Sequence, residues 1–449
     1  MPAEKIPLLS EQADRLAFGA WTEEHGLGEY VRTFGGGFRL IGPLDVEALR
    51  SSLTTLVARH EALRVSFPDR GRSGCQIVQQ PSGVDLAERD LRDVPEDRRL
   101  TEAVQAAGAY LSRNPELDEG QRLRTMLVRL GADDHILALA VDHLVADGGS
   151  FEILVDELWT LYSAAVRDER PKLPEQRFTY TDFARWEADW LRNDPEPRQA
   201  IARTAELLDG MGLSPLITID GMKRDTNQDY TVGAVGGRFV DERFERLTDR
   251  CREARITPFV ALLSAYLCAL HSCGGPTDLG LMIPISRRNG EHMTDLVSML
   301  STHTTIRLRL DPTLSFRELT RQVRSVVLES YRLGQVPAPE VAAALAPHML
   351  GRLFLRPSVF FDVAPSGWSG EHRRIGELAV TPVDVPITVR HIENLTLFAS
   401  ISAQELAFTL LYPTDVFEKR AVDDLVRAFT TVVDRYAQEP STPVRALIA

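Results

Sequence analysis

A short apolar strand that leads through a glycine-containing turn into a helix constrains the fold of this chain more than any other sequence feature. The run HILALAV at residues 135–141 is typical of a strand buried inside a sheet. It is followed by DHLVADGG and then by SFEILVDELWTLYSAA, whose apolar residues recur at helical spacing, with Ser150 as the expected N-cap. A strand, a turn and a helix in this order indicate an α/β protein.

The alternation of helix and strand patterns continues along the chain and predicts two lobes. VEALRSSLTTLVARHEALR, ITPFVALLSAYLCALHS and DVFEKRAVDDLVRAFTTVVDRY have helical spacing, whereas LGLMIPI, NLTLFASIS and ELAFTLLY have strand patterns. A stretch rich in proline and charge separates the two halves and resembles a crossover. The length of 449 residues also favours more than one compact core. We predict a lobe at residues 1–175, a crossover at 176–226 and a second lobe at 227–449.

Charge and motif patterns argue against several classes of function. The net charge of −13 disfavours general binding of nucleic acid or of an anionic membrane. The chain has no apolar run of ~18 residues and no signal-like N-terminus, so we expect a cytoplasmic protein. Its four cysteines lack CxxC spacing and its histidines lack metal-ligand spacing, which predicts no metal site. No phosphate-binding glycine loop is present, and no tightly bound cofactor is indicated.

The junction after the buried strand carries the candidate chemistry. Because strand side chains alternate, His143 shares one face with Val141, whereas Asp142 points to the other face. An imidazole with an ordinary pKa of ~6.5 can accept a proton near neutrality, so His143 has the placement of a general base. The same residues also fit a capped turn without a catalytic role. From the residues alone, both interpretations stay open.

The last residues of the junction have two predicted roles, one for Asp147 in the architecture of the turn and one for the glycine amides in stabilising negative charge. Asp147 lies where the chain enters the helix, and a buried carboxylate there needs a cation or several backbone donors. Gly148 and Gly149 allow close approach of the backbone to a ligand. Their amides lie near a helix N-terminus and are candidates for stabilising a developing oxyanion.

Several ordered motifs resemble the condensation-domain family of nonribosomal peptide synthesis, within the chloramphenicol-acetyltransferase-like superfamily. DHLVADG at residues 142–148 is similar to the family motif HHxxxDG, and RHEALR at 59–64 is similar to RHExLR. LLSEQADRL resembles the first motif, YTDFARW resembles a later Tyr-x-Asp-Tyr-Ala-x-Trp motif, and IPISRR resembles a strand that ends in arginine. The resemblance covers nearly the whole chain.

The resemblance implies a fold and a set of site residues. The fold is two acetyltransferase-like lobes in a V-shaped pseudo-dimer with a central tunnel, which donor and acceptor enter from opposite faces on phosphopantetheine arms. His143 matches the catalytic second histidine of the motif, which faces the tunnel. Asp147 is implied to form a structural pair with an arginine from the second lobe, for which Arg288 is the matching position.

The departures from the family pattern bear on substrate choice. Asp142 replaces the first histidine, and because that residue faces away from the tunnel its loss need not abolish activity. Gly149 replaces a usual tryptophan and is expected to open space beside the active site. Thr302 and His303 replace an Asn-Thr pair near the tunnel. His303 is either a second tunnel imidazole or a polar wall residue.

The resemblance implies a free-standing acyltransferase. It would move an acyl group from a carrier-protein or coenzyme A thioester to an amine or a hydroxyl, forming an amide or an ester. The length suggests a stand-alone module whose carrier protein arrives in trans, with phosphopantetheine as part of the substrate and not as a resident cofactor. Two alternatives remain. One is an epimerase-like relative that uses the same histidine, and the other is a catalytically silent protein that recruits another enzyme to a carrier-bound intermediate.

Overall fold

The computed structural model describes most of the chain. The described residues are 4–26, 29–210, 219–222, 231–290, 292–345, 358–365, 372–387 and 394–447. Up to Asp194 the helices and strands are β1 (Lys5–Pro7), α1 (Ser10–Glu24), β2 (Thr33–Ile41), α2 (Val46–Arg59), β3 (Val65–Ser66), β4 (Cys75–Val78), β5 (Leu86–Asp90), α3 (Glu96–Leu111), β6 (Leu123–Arg129), β7 (Asp134–Asp142), α4 (Gly148–Ala165) and α5 (Tyr180–Asn193).

The later elements alternate in the same way. They are α6 (Pro195–Leu208), β8 (Val232–Val240), α7 (Asp241–Ala254), α8 (Pro258–Ser272), β9 (Asp278–Ser286), β10 (Ser301–Arg309), α9 (Phe316–Leu333), α10 (Ala338–Leu345), β11 (Ser358–Pro365), β12 (Arg373–Ile375), β13 (Leu378–Val383), β14 (Asn394–Ile401), β15 (Glu405–Pro413), α11 (Lys419–Gln438) and α12 (Val444–Leu447). The α/β class expected from the sequence is confirmed.

The chain forms two compact units that are not continuous in sequence. The first unit comprises Met1–Asp194, Ser286–Ser301 and Gly367–Val389, and the second comprises Pro195–Ile285, Thr302–Ser366 and Arg390–Ala449. Two segments of the first unit therefore fall within the range 227–449 that the sequence pattern assigned to a single lobe. One reason is strand pairing, because β13 is hydrogen-bonded to β2 in an antiparallel register.

The first unit contains a six-stranded sheet in which β7 is a central strand. The strand order is β12-β13-β2-β7-β6-β5. Leu137 and Leu139 pack into a core with residues of α2 and α4, whereas Ile136 and Ala138 pack on the opposite face with residues of α3. Because both faces of β7 are buried, its sequence is a continuous apolar run instead of an alternating one. The predicted buried strand is confirmed.

The helix after this strand begins earlier than the sequence suggested. α4 starts at Gly148, and its N-cap is Asp147, whose side chain accepts a hydrogen bond from the Ser150 backbone N–H at 2.8 Å. The expectation that Ser150 is the N-cap is wrong, because Ser150 is the third residue of α4 and its own backbone N–H is the group that the Asp147 side chain caps. The predicted apolar stripe is buried from Phe151 to Leu161, and Ala165 at its end is exposed.

The second unit contains another six-stranded sheet, in the order β10-β9-β11-β14-β15-β8. Alternate side chains of β9, β11, β14 and β15 enter a core with residues of α7, α8, α9 and α11. Val359 and Phe361 of β11 are fully buried in this core. Phe360 and Asp362 of the same strand point to the other face of the sheet because strand side chains alternate.

Within the described part of the chain, no helix taken alone combines the length and the apolar character needed to cross a membrane. Two consecutive helices, Asp241–Ala254 and Pro258–Ser272, meet the length and composition criteria only when taken together, and they are bent by 105° relative to each other.

Candidate functional site

His143 is the first residue after β7, and its imidazole has a defined hydrogen-bonding state. Its backbone N–H donates to the Arg32 carbonyl oxygen at 2.8 Å, and its Nδ1 lies 2.8 Å from the Ala146 carbonyl oxygen. A carbonyl oxygen only accepts, so Nδ1 of the neutral ring must carry the hydrogen and Nε2 must carry the lone pair. Among the described residues, Nε2 has no hydrogen-bond partner. The ring therefore has one atom fixed by the protein and one atom able to accept a proton.

The surroundings of His143 keep its ring neutral. His143 is mostly buried, and the centroid of its ring lies 4.6 Å from that of Phe34, at an interplanar angle of 53°. Burial and the positive charge of Arg15 lower the pKa of His143 to about 3, although the Ala146 carbonyl and nearby carboxylates act in the opposite direction. At neutral pH the imidazole is therefore uncharged and can accept a hydrogen bond. An imidazolium at this position would be unfavourable.

Asp142 points away from His143 and is held between two arginines. Its side chain is fully buried, with Oδ1 3.4 Å from Nε of Arg32 and Oδ2 3.2 Å from Nη1 of Arg122. Oδ1 also accepts the Leu144 backbone N–H at 3.0 Å. Burial alone would raise the pKa of Asp142, but the charges of Arg32 and Arg122 outweigh it and hold the pKa below the ordinary value. Asp142 therefore acts as a counter-ion to the two arginines and fixes the backbone directly after the histidine.

Asp147 and Arg288 form an ion pair within the first unit. Nη2 of Arg288 lies 2.7 Å from Oδ1 of Asp147, and Oδ2 accepts the Leu300 backbone N–H at 3.1 Å. The Asp147 side chain is 3% exposed. Nη1 of Arg288 also donates to the Leu296 carbonyl oxygen at 2.6 Å. One carboxylate thus joins the start of α4 to the segment Ser286–Ser301.

Gly149, the second residue of α4, is packed against Arg288. A Cβ atom at Gly149 would lie 2.8 Å from Nε of Arg288, which is closer than side chains tolerate. Arg288 therefore packs closely against the backbone of Gly149, and the expectation that this glycine opens space beside the site stays a prediction. Gly148 is the first residue of α4 and is partly exposed.

Thr302 and His303 lie at the start of β10, in the second unit. Thr302 is 5% exposed, and its hydroxyl accepts the Ala338 backbone N–H at 2.8 Å. His303 is partly buried. A tunnel role for these residues stays a prediction.

The residues Arg15, Arg32, Phe34 and Arg122 shape the surroundings of His143 and were not identified from the sequence. Two of these residues, Arg32 and Arg122, are brought to Asp142 by the register of the strands. β6 and β7 pair with Leu123 opposite Val141, so Arg122 lies opposite Asp142. β2 and β7 pair with Thr33 opposite Asp142, which brings Arg32 to the same end. A hairpin is visible in the sequence, but its register is not, because the turn geometry sets the register.

His60 forms a buried polar contact with Glu157. His60 is buried, with Nε2 2.8 Å from a carboxylate oxygen of Glu157, which also pairs with Arg59 at 2.9 Å. This arrangement fits a structural role for His60. Across the residues that the structure describes, no group of three or more His, Cys, Asp or Glu side chains is placed to hold a metal ion.

Comparison with known proteins identifies the family. A model of the condensation domain matches residues 35–448. The chain belongs to the condensation-domain family. It is 28% identical to cyclosporin synthetase of Tolypocladium inflatum over 432 residues and 27% identical to enniatin synthetase of Fusarium oxysporum over 413 residues. These matches cover 94% and 91% of this chain, but only 3% and 13% of the synthetases.

Solved condensation-type structures share the fold. The X-domain from teicoplanin biosynthesis has a TM-score of 0.80 at 21% identity, and the coverage is 99% of this chain and 97% of that chain. A starter condensation domain of rhizomide synthetase, in complex with C8-CoA, has a TM-score of 0.78 at 15% identity, covering 98% and 97%. The two-lobed chloramphenicol-acetyltransferase-like fold expected from the motifs is confirmed.

Proposed function

We propose that this condensation domain transfers an acyl group from the thioester of a carrier protein or of coenzyme A to an amine or hydroxyl acceptor. The observation that carries the proposal is the state of His143, a neutral imidazole with Nδ1–H bound to the Ala146 carbonyl and Nε2 available. In the reaction the acceptor nitrogen or oxygen bonds to the thioester carbonyl carbon, and the carbon–sulfur bond breaks. The acceptor loses one proton, and the departing sulfur gains one.

His143 would act by accepting a hydrogen bond from the acceptor N–H or O–H at Nε2. This contact orients the lone pair of the nucleophile toward the carbonyl carbon and removes positive charge as the new bond forms. Because the lowered pKa disfavours an imidazolium, the proton would pass on to the thiolate without accumulating on the ring. The role is therefore one of positioning and proton relay.

The N-terminus of α4 would supply donors for the developing oxyanion. The first backbone N–H groups of a helix lack acceptors inside the helix, and only the Ser150 N–H is bound by the Asp147 cap at 2.8 Å. The amides of Gly148 and Gly149 stay the candidates for this role. The ion pair between Asp147 and Arg288 would hold these amides in place without contacting the substrate.

A second candidate function is recruitment of another enzyme to a carrier-bound intermediate. It is favoured by the similarity to the X-domain from teicoplanin biosynthesis, which has been solved as a complex with OxyB. It is also favoured by Asp142, which replaces the first histidine of the motif. The available Nε2 of His143 favours transfer, because recruitment does not need a neutral imidazole whose Nε2 is without a hydrogen bond to the described residues.

Intact-mass analysis of a loaded carrier protein tests the two candidates. The carrier is charged with an acyl or aminoacyl thioester and incubated with this protein and panels of amines and alcohols. Transfer predicts loss of the acyl mass from the carrier together with a new amide or ester, and both should disappear in His143→Ala but not in the exposed control His25→Ala. Binding of the loaded carrier without any acyl loss across the panels would instead favour recruitment.

A further inference from the structure

One face of the sheet in the second unit carries a carboxylate among aromatic rings. Asp362 lies on β11 and is paired in parallel register with Phe398 of β14, whose side chain is 40% exposed. Phe360, two residues before Asp362, points to the same face. Its ring centroid lies 6.0 Å from that of Phe398. This face is opposite to the one that packs against the helices of the unit, so the rings are not part of that core.

The Asp362 carboxylate is not neutralised by the described part of the protein. It accepts a hydrogen bond from the Val363 backbone N–H, and no described arginine, lysine or histidine lies within ion-pair distance. Asp278 in the same sheet is different, since it pairs with Arg307 at 2.6 Å and with Arg309 at 3.4 Å. A partly buried carboxylate without a cation costs free energy, and this cost is recovered when a cation binds.

We propose that Asp362, Phe360 and Phe398 form a binding site for a small molecule that carries a protonated amine next to an apolar group. The ammonium supplies a positive charge that the described residues do not supply, and it donates hydrogen bonds to the carboxylate. The two phenyl rings cover the hydrocarbon part of the ligand, and their faces also attract a cation. A carboxylate at the centre of the site disfavours anionic ligands.

The site is tuned by pH near neutrality. Burial raises the pKa of Asp362 to about 6, although the hydrogen bond from the Val363 backbone N–H acts in the opposite direction. Tyr331 on α9 is the titratable group that senses this carboxylate, because burial and the charge of Asp362 raise its pKa. The carboxylate is therefore ionised at pH 7.5 and mostly protonated at pH 5. Amine binding should weaken over this interval as the pH falls.

Calorimetric binding of two matched probes tests the proposal on the intact chain. 2-Phenylethylamine and 2-phenylethanol have the same ring and spacing and differ in charge. At pH 7.5 we expect the amine to bind about ten-fold more tightly than the alcohol, and Asp362→Asn to remove that difference. Phe398→Ala should weaken both probes. Asp423→Asn, which removes a carboxylate paired with Lys419 on α11, is the matched control and should change neither.

Equal binding of amine and alcohol by the wild type, no binding of the amine, or retained preference in Asp362→Asn would each overturn the proposal. Asp362→Asn preserves the side-chain shape and removes an uncompensated charge, so the variant should fold. Binding is read without a thioester, so failure here leaves the role of His143 untouched, and failure of acyl transfer leaves this site untouched.

Discussion

Replacing Asp142 by asparagine should destabilise the first unit, although the two side chains have nearly the same shape. The substitution removes the negative charge between Arg122, which is fully buried, and Arg32, whose side chain is 9% exposed. Breaking a buried ion pair by removing one partner costs about 3–5 kcal/mol, because the other charge stays buried. Arg122 keeps hydrogen bonds to the carbonyl oxygens of Glu116 and Glu119, so we expect the lower end of that range.

The expected loss is large enough to measure by thermal unfolding. For a unit of this size, about 3 kcal/mol corresponds to a decrease in Tm of about 6–12 °C. Circular dichroism at pH 7.5 should show this decrease for Asp142→Asn. In Asp142→Asn/Arg122→Met the trapped guanidinium is gone, so much of the stability should return. The double-mutant cycle should give a coupling of about 1–3 kcal/mol.

An unchanged Tm for Asp142→Asn would refute the counter-ion assignment. Additive effects in the double variant would refute it as well, because independent residues do not couple. A control at an exposed pair, Asp90→Asn beside Arg92, should change Tm by less than about 2 °C, because exposed ion pairs contribute little.

Four further predictions concern the same framework. Asp147→Asn should lower the free energy of unfolding, measured in urea, by about 2–4 kcal/mol. The NH₂ group of the asparagine would have to face either the Leu300 N–H or the donors of Ser150 and Arg288. An unchanged free energy of unfolding would contradict the role of the ion pair. Asp142→His should leave the mass of the transfer product unchanged while lowering Tm, and a switch from inactive to active would favour recruitment. The acyl-transfer rate of the wild type should not fall through protonation of His143 as the pH is lowered past 6.5. The pKa of about 3 keeps the ring neutral down to about pH 5, and a pH profile of the rate checks this. Asp362→Asn should raise Tm at pH 7.5 and not at pH 4. The pKa of Asp362 is raised to about 6 in the folded state, so the wild type loses stability as the pH rises from about 4 through 6, and the asparagine variant does not.

The main elements of the site were predictable because their signals are local. The apolar run before Asp142 identifies β7, and side-chain alternation separates His143 from Asp142 without any structure. The ordered motifs supply Arg288 as the partner of Asp147, and the structure places Nη2 of Arg288 2.7 Å from that carboxylate. The pairing involves residues that are 141 positions apart, so spacing alone could not have identified it.

What could not be predicted depends on register and packing. The two arginines around Asp142 lie directly before β2 and β6, and their placement follows from strand pairings that the sequence does not specify. The N-cap of α4 is Asp147 and not Ser150, because the helix already begins at Gly148 and the Asp147 carboxylate accepts the Ser150 backbone N–H. The close packing of Arg288 against Gly149 depends on the rotamer of Arg288, which composition does not reveal.

The central claim is that His143 promotes acyl transfer through its available Nε2, and single-turnover consumption of a carrier-bound thioester tests it most directly. His143→Ala should lower the transfer rate by about 10²–10⁴-fold, with the same Tm and the same affinity for the loaded carrier as the wild type. His25→Ala, at an exposed histidine, should react like the wild type. A folded His143→Ala protein that consumes the thioester at the wild-type rate would contradict the claim.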